Sequence, residues 1–464
     1  MQLTMPFTKL YSLFFQIVIP LFPLFYLLKL GDIFYSIIII SFFLWLIGKI
    51  IRKEFKIRYL KIGFPFYAWY FTFLLSLLWA KYPIETLEKL VSFSLWVWVL
   101  YISIQLFSSG KRYWFLKLST SMYFVVLICF VYILFMYGGV KFGTSITEEI
   151  GFFSPTGLAI ITAYYPYLLY MFFQKRHNQW VLLSVILSIP FLVLISGNRS
   201  SILLSVLGTI LFIILISKNL LKTAKLIFVS CLIFIVVGSL IYYTIPAAKI
   251  SLSATVNRTI HSSLFTFSST SISDRKIMDY EENIPDQDRV LMFILAYEII
   301  KSNPLTGIGF HGFKSQMEER FGHGRISHNL IITSWAEGGI LSLITFLLLV
   351  LVCYIRLFRS RTVSKKLQYR DGFLFYSSAI TSFTLVLVHG MVQPQEYNPM
   401  FYFNIAIALT SLFLLNQNIR TLSFASLKCD RPCKKDVAIN HKKILVFDSE
   451  SPRVKTRSIL LYSR

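Results

Sequence analysis

Twelve mostly apolar runs divide the chain, covering approximately residues 10–28, 33–51, 62–80, 87–107, 115–137, 151–173, 179–196, 201–217, 226–246, 329–355, 372–392 and 400–417. A helix crossing the hydrocarbon core needs about 20 such residues, at about 1.5 Å of rise each. The runs therefore predict an all-α polytopic integral membrane protein with about twelve transmembrane helices. Composition agrees, with 56% hydrophobic residues, 15% charged residues and a mean hydropathy of +0.65. A disordered chain, a disulfide scaffold and an ordinary cytosolic enzyme are excluded on those figures. The first run contains Pro20 and Pro23 and lacks a small-residue cleavage site, so it is expected to be a retained anchor. No internal repeat is evident. Cys129, Cys231 and Cys353 fall inside runs, and Cys429 and Cys433 form a lone pair. Neither a disulfide framework nor a metal site follows from them.

Lys and Arg number 46 against 22 Asp and Glu, and their placement gives the orientation. One alternate set of short loops carries Lys49, Arg52, Lys53, Lys56, Arg58 and Lys61, then Lys111, Arg112 and Lys117, then Lys175 and Arg176, then Lys218, Lys222 and Lys225. Arg356, Arg359, Arg361, Lys365, Lys366 and Arg370 continue it. With Lys9 and the basic residues beyond 418, that side holds 32 of the 46. The positive-inside rule makes it cytoplasmic, with both termini inside. Nucleic acid is not implied, because the basic residues are spread among short loops.

Four segments follow: residues 1–246 with spans 1–9, an outer loop 247–328, residues 329–417 with spans 10–12, and a basic cytoplasmic tail 418–464. The 82-residue outer loop between spans 9 and 10 is far longer than an ordinary connection. It is Ser/Thr-rich from Ser251 to Ser273. Leu291, Ile294, Leu295 and Ile299 then recur at helical spacing in Arg289–Ile300. That amphipathic helix lies at the membrane surface or packs on the protein itself. The tail is either attracted to anionic membrane lipid or simply solvated.

Three features meet on the outer side. Ser196-Gly197-Asn198-Arg199-Ser200-Ser201 is a tight turn before the eighth span, where Asn198 or Ser200 can cap the next helix. Arg199 beside a helix N-terminus suits a phosphate, or snorkels to lipid headgroups. Arg289 opens the amphipathic stretch, which ends in Asn303-Pro304-Leu305-Thr306-Gly307-Ile308-Gly309-Phe310-His311-Gly312-Phe313. Proline and three glycines there predict an irregular backbone open to close approach. His328, between Ser327 and Asn329, precedes the tenth span. A helix N-terminus disfavours the charged imidazolium, so a neutral His328 suits a general base, or a cap or interface role. Glu337, inside the tenth span, is a functional candidate on the face opposite His328 if the helix is unbroken. Gly338 and Gly339 are positioned to bend it. Asn329, His311, Glu337, Lys89 and His389 are candidate pocket lining, with Glu88, Gln393 and Glu396 as further polar neighbours.

The run from Arg289 to Phe313, then His328-Asn329 and Glu337-Gly338-Gly339, resembles the O-antigen ligase and polymerase family of bacterial membranes. The ligase signature is His, then Asn, Ser or Gln, nine residues, Gly, two residues, and Gly, Thr or Tyr. His328, Asn329 and Gly339 fit it, while Ser342 stands at the last position. The turn holding Arg199 resembles the family's outer-face arginine. The resemblance implies a glycosyltransferase of the inner membrane that uses neither metal nor cofactor and acts on the periplasmic face. It takes a glycan from undecaprenyl diphosphate and passes it, with inversion, to an acceptor glycan or to lipid A–core. His328, Arg289 and Arg199 are the catalytic residues it implies, the two arginines meeting the diphosphate. A twelve-span transporter or flippase for a lipid-linked glycan, and a protein O-oligosaccharyltransferase, are the competing readings.

Overall fold

The computed structural model describes residues 36, 40, 57–108, 165–174, 199–217, 219–244, 285–322, 324–327, 329–391 and 399–428. Spans 1, 5 and 7, all of span 2 but residues 36 and 40, span 6 before residue 165, the Ser/Thr-rich part of the outer loop, His328 and the tail beyond Lys428 lie outside them. Every element among the described residues is helical. In chain order they are α1 Ile57–Ser76, α2 Pro83–Ser108, α3 Tyr165–Gln174, α4 Arg199–Ile216 and α5 Leu220–Thr244. There follow α6 Pro285–Ser302, α7 Gly312–Phe321, α8 Leu330–Lys366, α9 Arg370–Gly390 and α10 Pro399–Lys428, with a 3₁₀ turn at Leu77–Trp79.

Among the described residues, four stretches are long and apolar enough to cross a membrane: Tyr59–Trp79, Pro83–Ser108, Leu330–Lys366 and Arg370–Gly390. Leu341, Ile344, Leu348, Leu351 and Ile355 leave an exposed apolar stripe along α8. Water would oppose such a stripe, whereas lipid is its natural solvent. Three helices, α2, α8 and α10, run past the apolar limits read from sequence. The tenth span, expected to stop at 355, continues as helix to Lys366, because polar residues beyond the hydrocarbon still keep helical backbone.

Inside the bundle the packing is aromatic. Phe66, Trp69, Phe73, Phe93 and Tyr402 meet mostly edge-to-face at 5.4–6.5 Å between ring centroids. Between helices in lipid, such close packing replaces the hydrophobic drive of a soluble core.

Two ends of the bundle can be told apart by their bonds. At the basic end, the Arg356 guanidinium on α8 donates to the carbonyls of Leu409 at 2.7 Å and Ile62 at 3.4 Å. Arg361 donates to the Leu215 carbonyl and to Ser377 Oγ, and lies 4.8 Å over the Phe373 ring. Tyr170 and Tyr369 hydroxyls donate to Asp371 at 2.7 and 3.1 Å. These bonds gather the end of α3, the end of α4, α8 and the start of α9. The starts of α4 and α8 and the end of α9 lie at the other end, where Leu204 packs on Leu385.

Candidate functional site

At that second end α8 is broken. Gly339 has φ 73 and ψ −175, a backbone state that side chains rarely adopt. A break there frees the carbonyls of Ala336 and Glu337 and the N–H of Ile340 from the helix ladder. In lipid such groups need partners, since each orphan costs several kcal/mol. The glycine-rich loop between α6 and α7 supplies them. Ile308 N–H donates to Ala336 O and Gly309 N–H to Glu337 O, both at 3.0 Å, and Ile340 N–H donates to Pro304 O at 3.1 Å. The approach is tight enough to exclude side chains. A Cβ on Gly307 would stand 2.5 Å from Glu337 O, and one on Gly339 would overlap Leu305 O.

The loop is fastened on its other faces too. Lys81 N–H donates to Ile308 O at 3.0 Å, and Phe310 N–H to Ser76 Oγ at 3.1 Å. Trp79 and Trp335 donate from their indole nitrogens to Thr306 O at 2.7 Å and Pro304 O at 3.2 Å. Phe310 enters the aromatic core, stacked on Phe93 at 5.2 Å. Glu337, 2% exposed, accepts the His311 N–H at 2.8 Å through Oε2. Sequence reasoning left Glu337 as possible pocket lining; its carboxylate holds the loop that carries His311.

His311 takes the left-handed conformation, φ 64, directly before α7. Its residue is 8% exposed, and burial pushes the imidazole down to about 4, helped by Lys89 and Lys314 and opposed by Glu88. The ring is therefore neutral near pH 7. The Lys89 ammonium also pairs with Glu88 at 3.3 Å.

α6, whose sequence spacing left two placements open, packs on the protein. Met292, Leu295, Ala296 and Ile299 bury against Ile308, Phe313, Met317 and Ala336, with Ile332 alongside. Phe293 and Tyr297 stay exposed on its other side. Arg289 lies in this helix, three residues before Met292, and Arg199 is the first residue of α4; their side chains lie outside the described residues.

Asn329 caps α8. Its Oδ1 accepts from Ile331 N–H at 3.0 Å and Ile332 N–H at 3.2 Å. Such a cap is worth about 1 kcal/mol. Its Nδ2 donates to Met391 O at 3.3 Å, which ties the start of α8 to the end of α9. His328 is the residue before this fixed cap. His389, 2% exposed, occupies the last turn of α9.

The candidates thus form two described groups at the same end of the bundle. His311, Glu337 and Lys89 surround the glycine loop, and Asn329 and His389 sit where α8 begins and α9 ends. Sequence reasoning missed the 80–82 corner. Lys81 Nζ donates to Glu319 at 2.8 Å and Gln316 at 2.7 Å, and the Tyr82 hydroxyl also donates to Glu319. The Lys81 ammonium holds the Glu319 carboxyl below its usual range. No short-range signal marks a pairing across more than 230 residues.

A family model described as O-antigen ligase matches residues 181–347. The matched segment includes Arg199, Arg289, His311, His328, Asn329 and Glu337, and excludes Lys89 and His389. No curated protein matches the chain significantly. The family is one of glycosyltransferase-type enzymes. The site's broken helix, glycine loop and the start of the capped α8 all fall within that segment, and it is through this segment, about a third of the chain, that the protein is similar to the O-antigen ligase family.

Proposed function

We propose that this protein transfers a glycan from undecaprenyl diphosphate to a sugar hydroxyl on an acceptor glycan or lipid A–core. The reaction takes place at the periplasmic face of the inner membrane. One observation supports this reading: Arg199 at the start of α4, Arg289 in α6 and His328 with the Asn329 cap at the start of α8 all lie within one family-matched segment.

The chemistry suits such an arrangement. Helix N-termini carry partial positive charge, and arginine forks fit phosphate oxygens. Arg199 and Arg289 bind the diphosphate and stabilise the charge that develops there as the anomeric carbon–oxygen bond breaks. The acceptor oxygen attacks that carbon from the opposite side, which inverts its configuration. His328 takes the hydroxyl proton, and the bond's electron pair leaves on the diphosphate. Asn329 aids this by fixing the backbone next to His328. No metal or cofactor enters these steps.

The test supplies purified protein with a lipid-diphosphate glycan and offers lipid A–core, a second lipid-linked glycan and a protein hydroxyl in turn. Transfer to one of the glycan acceptors, with release of the lipid diphosphate, is the expected result. Transfer to protein alone would change the acceptor class. Movement of the donor across a vesicle wall without any transfer would replace the enzyme with a transporter.

A further inference from the structure

α6 and α7 flank the same glycine loop but turn different surfaces outward. The exposed residues of α7 are Lys314, Glu318, Glu319 and Arg320, all charged. α6 buries Met292, Leu295, Ala296 and Ile299 against the protein, yet Phe293 is 56% exposed and Tyr297 65%. Four residues apart, the two rings share one row, which the exposed Lys301 continues. At about 100° per residue, Glu298 lies about 100–140° round the helix from them, on the side where it pairs with Arg320 of α7. α6 therefore has three sides: one in the core, one polar and toward α7, and one aromatic.

The aromatic side is continuous with lipid-facing surface. Leu305, 72% exposed, follows α6 in the loop, and its carbonyl lies against Gly339 in the break of α8. Two residues after Gly339, Leu341 opens the exposed apolar stripe along α8 that lipid solvates. On either side of Leu305, the carbonyls of Pro304 and Thr306 accept from the indoles of Trp335 and Trp79. Both tryptophans are partly exposed, and tryptophan gathers at the boundary between membrane and water.

We propose that α6 is an interfacial helix, whose aromatic row and Leu305 seat among lipid acyl chains at the loop end of the bundle. Helices of this kind lie along the boundary between headgroups and chains, sunk about 5–10 Å into it. The Lys301 ammonium reaches lipid phosphate from the end of the row, while Glu298 stays in water with Arg320. That depth sets Arg289, one turn before Phe293, level with the phosphates, so that a lipid-linked diphosphate meets it without leaving the membrane. The contact with lipid stands apart from the glycan-transfer reading, and only the role of Arg289 rests on it.

The experiment uses the full chain in vesicles of phosphatidylethanolamine and phosphatidylglycerol with deuterated acyl chains. Benzoylphenylalanine is placed at position 293, 297 or 318 in turn, and the adducts formed on irradiation are read by mass. Lipid adducts are expected from 293 and 297 and are expected to be lost at 318. Adducts from 293 and 297 to other segments of this chain or to a second copy, in place of lipid, would overturn the seat. So would the absence of any adduct there, or a lipid yield at 318 as high as at 293.

Phe293→Ser combined with Tyr297→Ser is then assayed in the same vesicles, with the melting midpoint as the check on folding. KM for the lipid-linked donor is expected to rise while kcat holds. An unchanged donor KM would overturn the placing of Arg289 at phosphate level. Absence of all transfer by the native chain would contradict the enzyme reading alone, because the adducts need no turnover.

Discussion

The two ends of the bundle handle polarity in opposite ways. At the basic end the half-buried cations are spent on structure: Arg356 and Arg361 donate to carbonyls of neighbouring helices, and two tyrosines close on Asp371. At the other end the polarity comes from broken backbone. α8 is interrupted at Gly339, a loop is threaded into the gap, and a strained histidine is carried there on a buried carboxylate. Arginine at the basic end acts as a clasp between continuous helices, whereas the irregular backbone at the loop end is tolerated because its polar groups are paired inside the protein.

Replacing the break should do most damage. Gly339→Val puts a branched side chain at φ 73 and into the Leu305 carbonyl, and we expect a loss of about 3–5 kcal/mol or failure to accumulate. The readout is the unfolding midpoint of the purified chain. An unchanged midpoint would mean that the loop does not seat in the helix.

Acid should act next, and only at the loop end. His311 titrates near 6.5 when unfolded and at about 4 when folded, so between those values the unfolded chain binds the extra proton. Stability contributed by the neutral ring is then lost as pH falls through that window, by up to about 3 kcal/mol, and levels off below it. The comparison is with His311→Asn, whose unfolding midpoint should lack the acid loss that the native chain shows across that window. Parallel pH profiles would show that the ring is not shielded.

Arg320→Ala should do least. Its carboxylate partner Glu298 and the guanidinium are both more than 40% exposed, and such pairs contribute under about 1 kcal/mol. A larger shift in midpoint would make the α6–α7 contact part of the same rigid frame as the loop.

Much of this contrast is legible in the sequence, and the reason lies in range. The glycines at 307 and 309, the Pro304 stop and the Gly338-Gly339 pair are local signals, and each marks irregular backbone where the structure has it. Asn329 before an apolar run is a local cap signal too. Hydropathy, by contrast, measures what contacts lipid rather than where a helix stops, so α8 was expected to end well before Lys366. Nor does any pattern say that the loop at 303–312 fills the gap at 336–340, or that Lys81 reaches Glu319. Those pairings depend on how the helices pack, and α6 found its partner in the same way. The left-handed state of His311 is hard to read from sequence too, since histidine is enriched in that region but only a few per cent of non-glycine residues enter it.

The central claim is that transfer belongs to the loop end and the clasps at the basic end do not take part in it. It is tested most directly by measuring glycan transfer per folded molecule in His328→Ala, Arg289→Ala and Arg356→Met, each at matched protein level. The account predicts a loss of about 100-fold or more in the first two, the scale of a missing base or charge stabiliser, and native transfer in the third. Full activity in both His328→Ala and Arg289→Ala would contradict it.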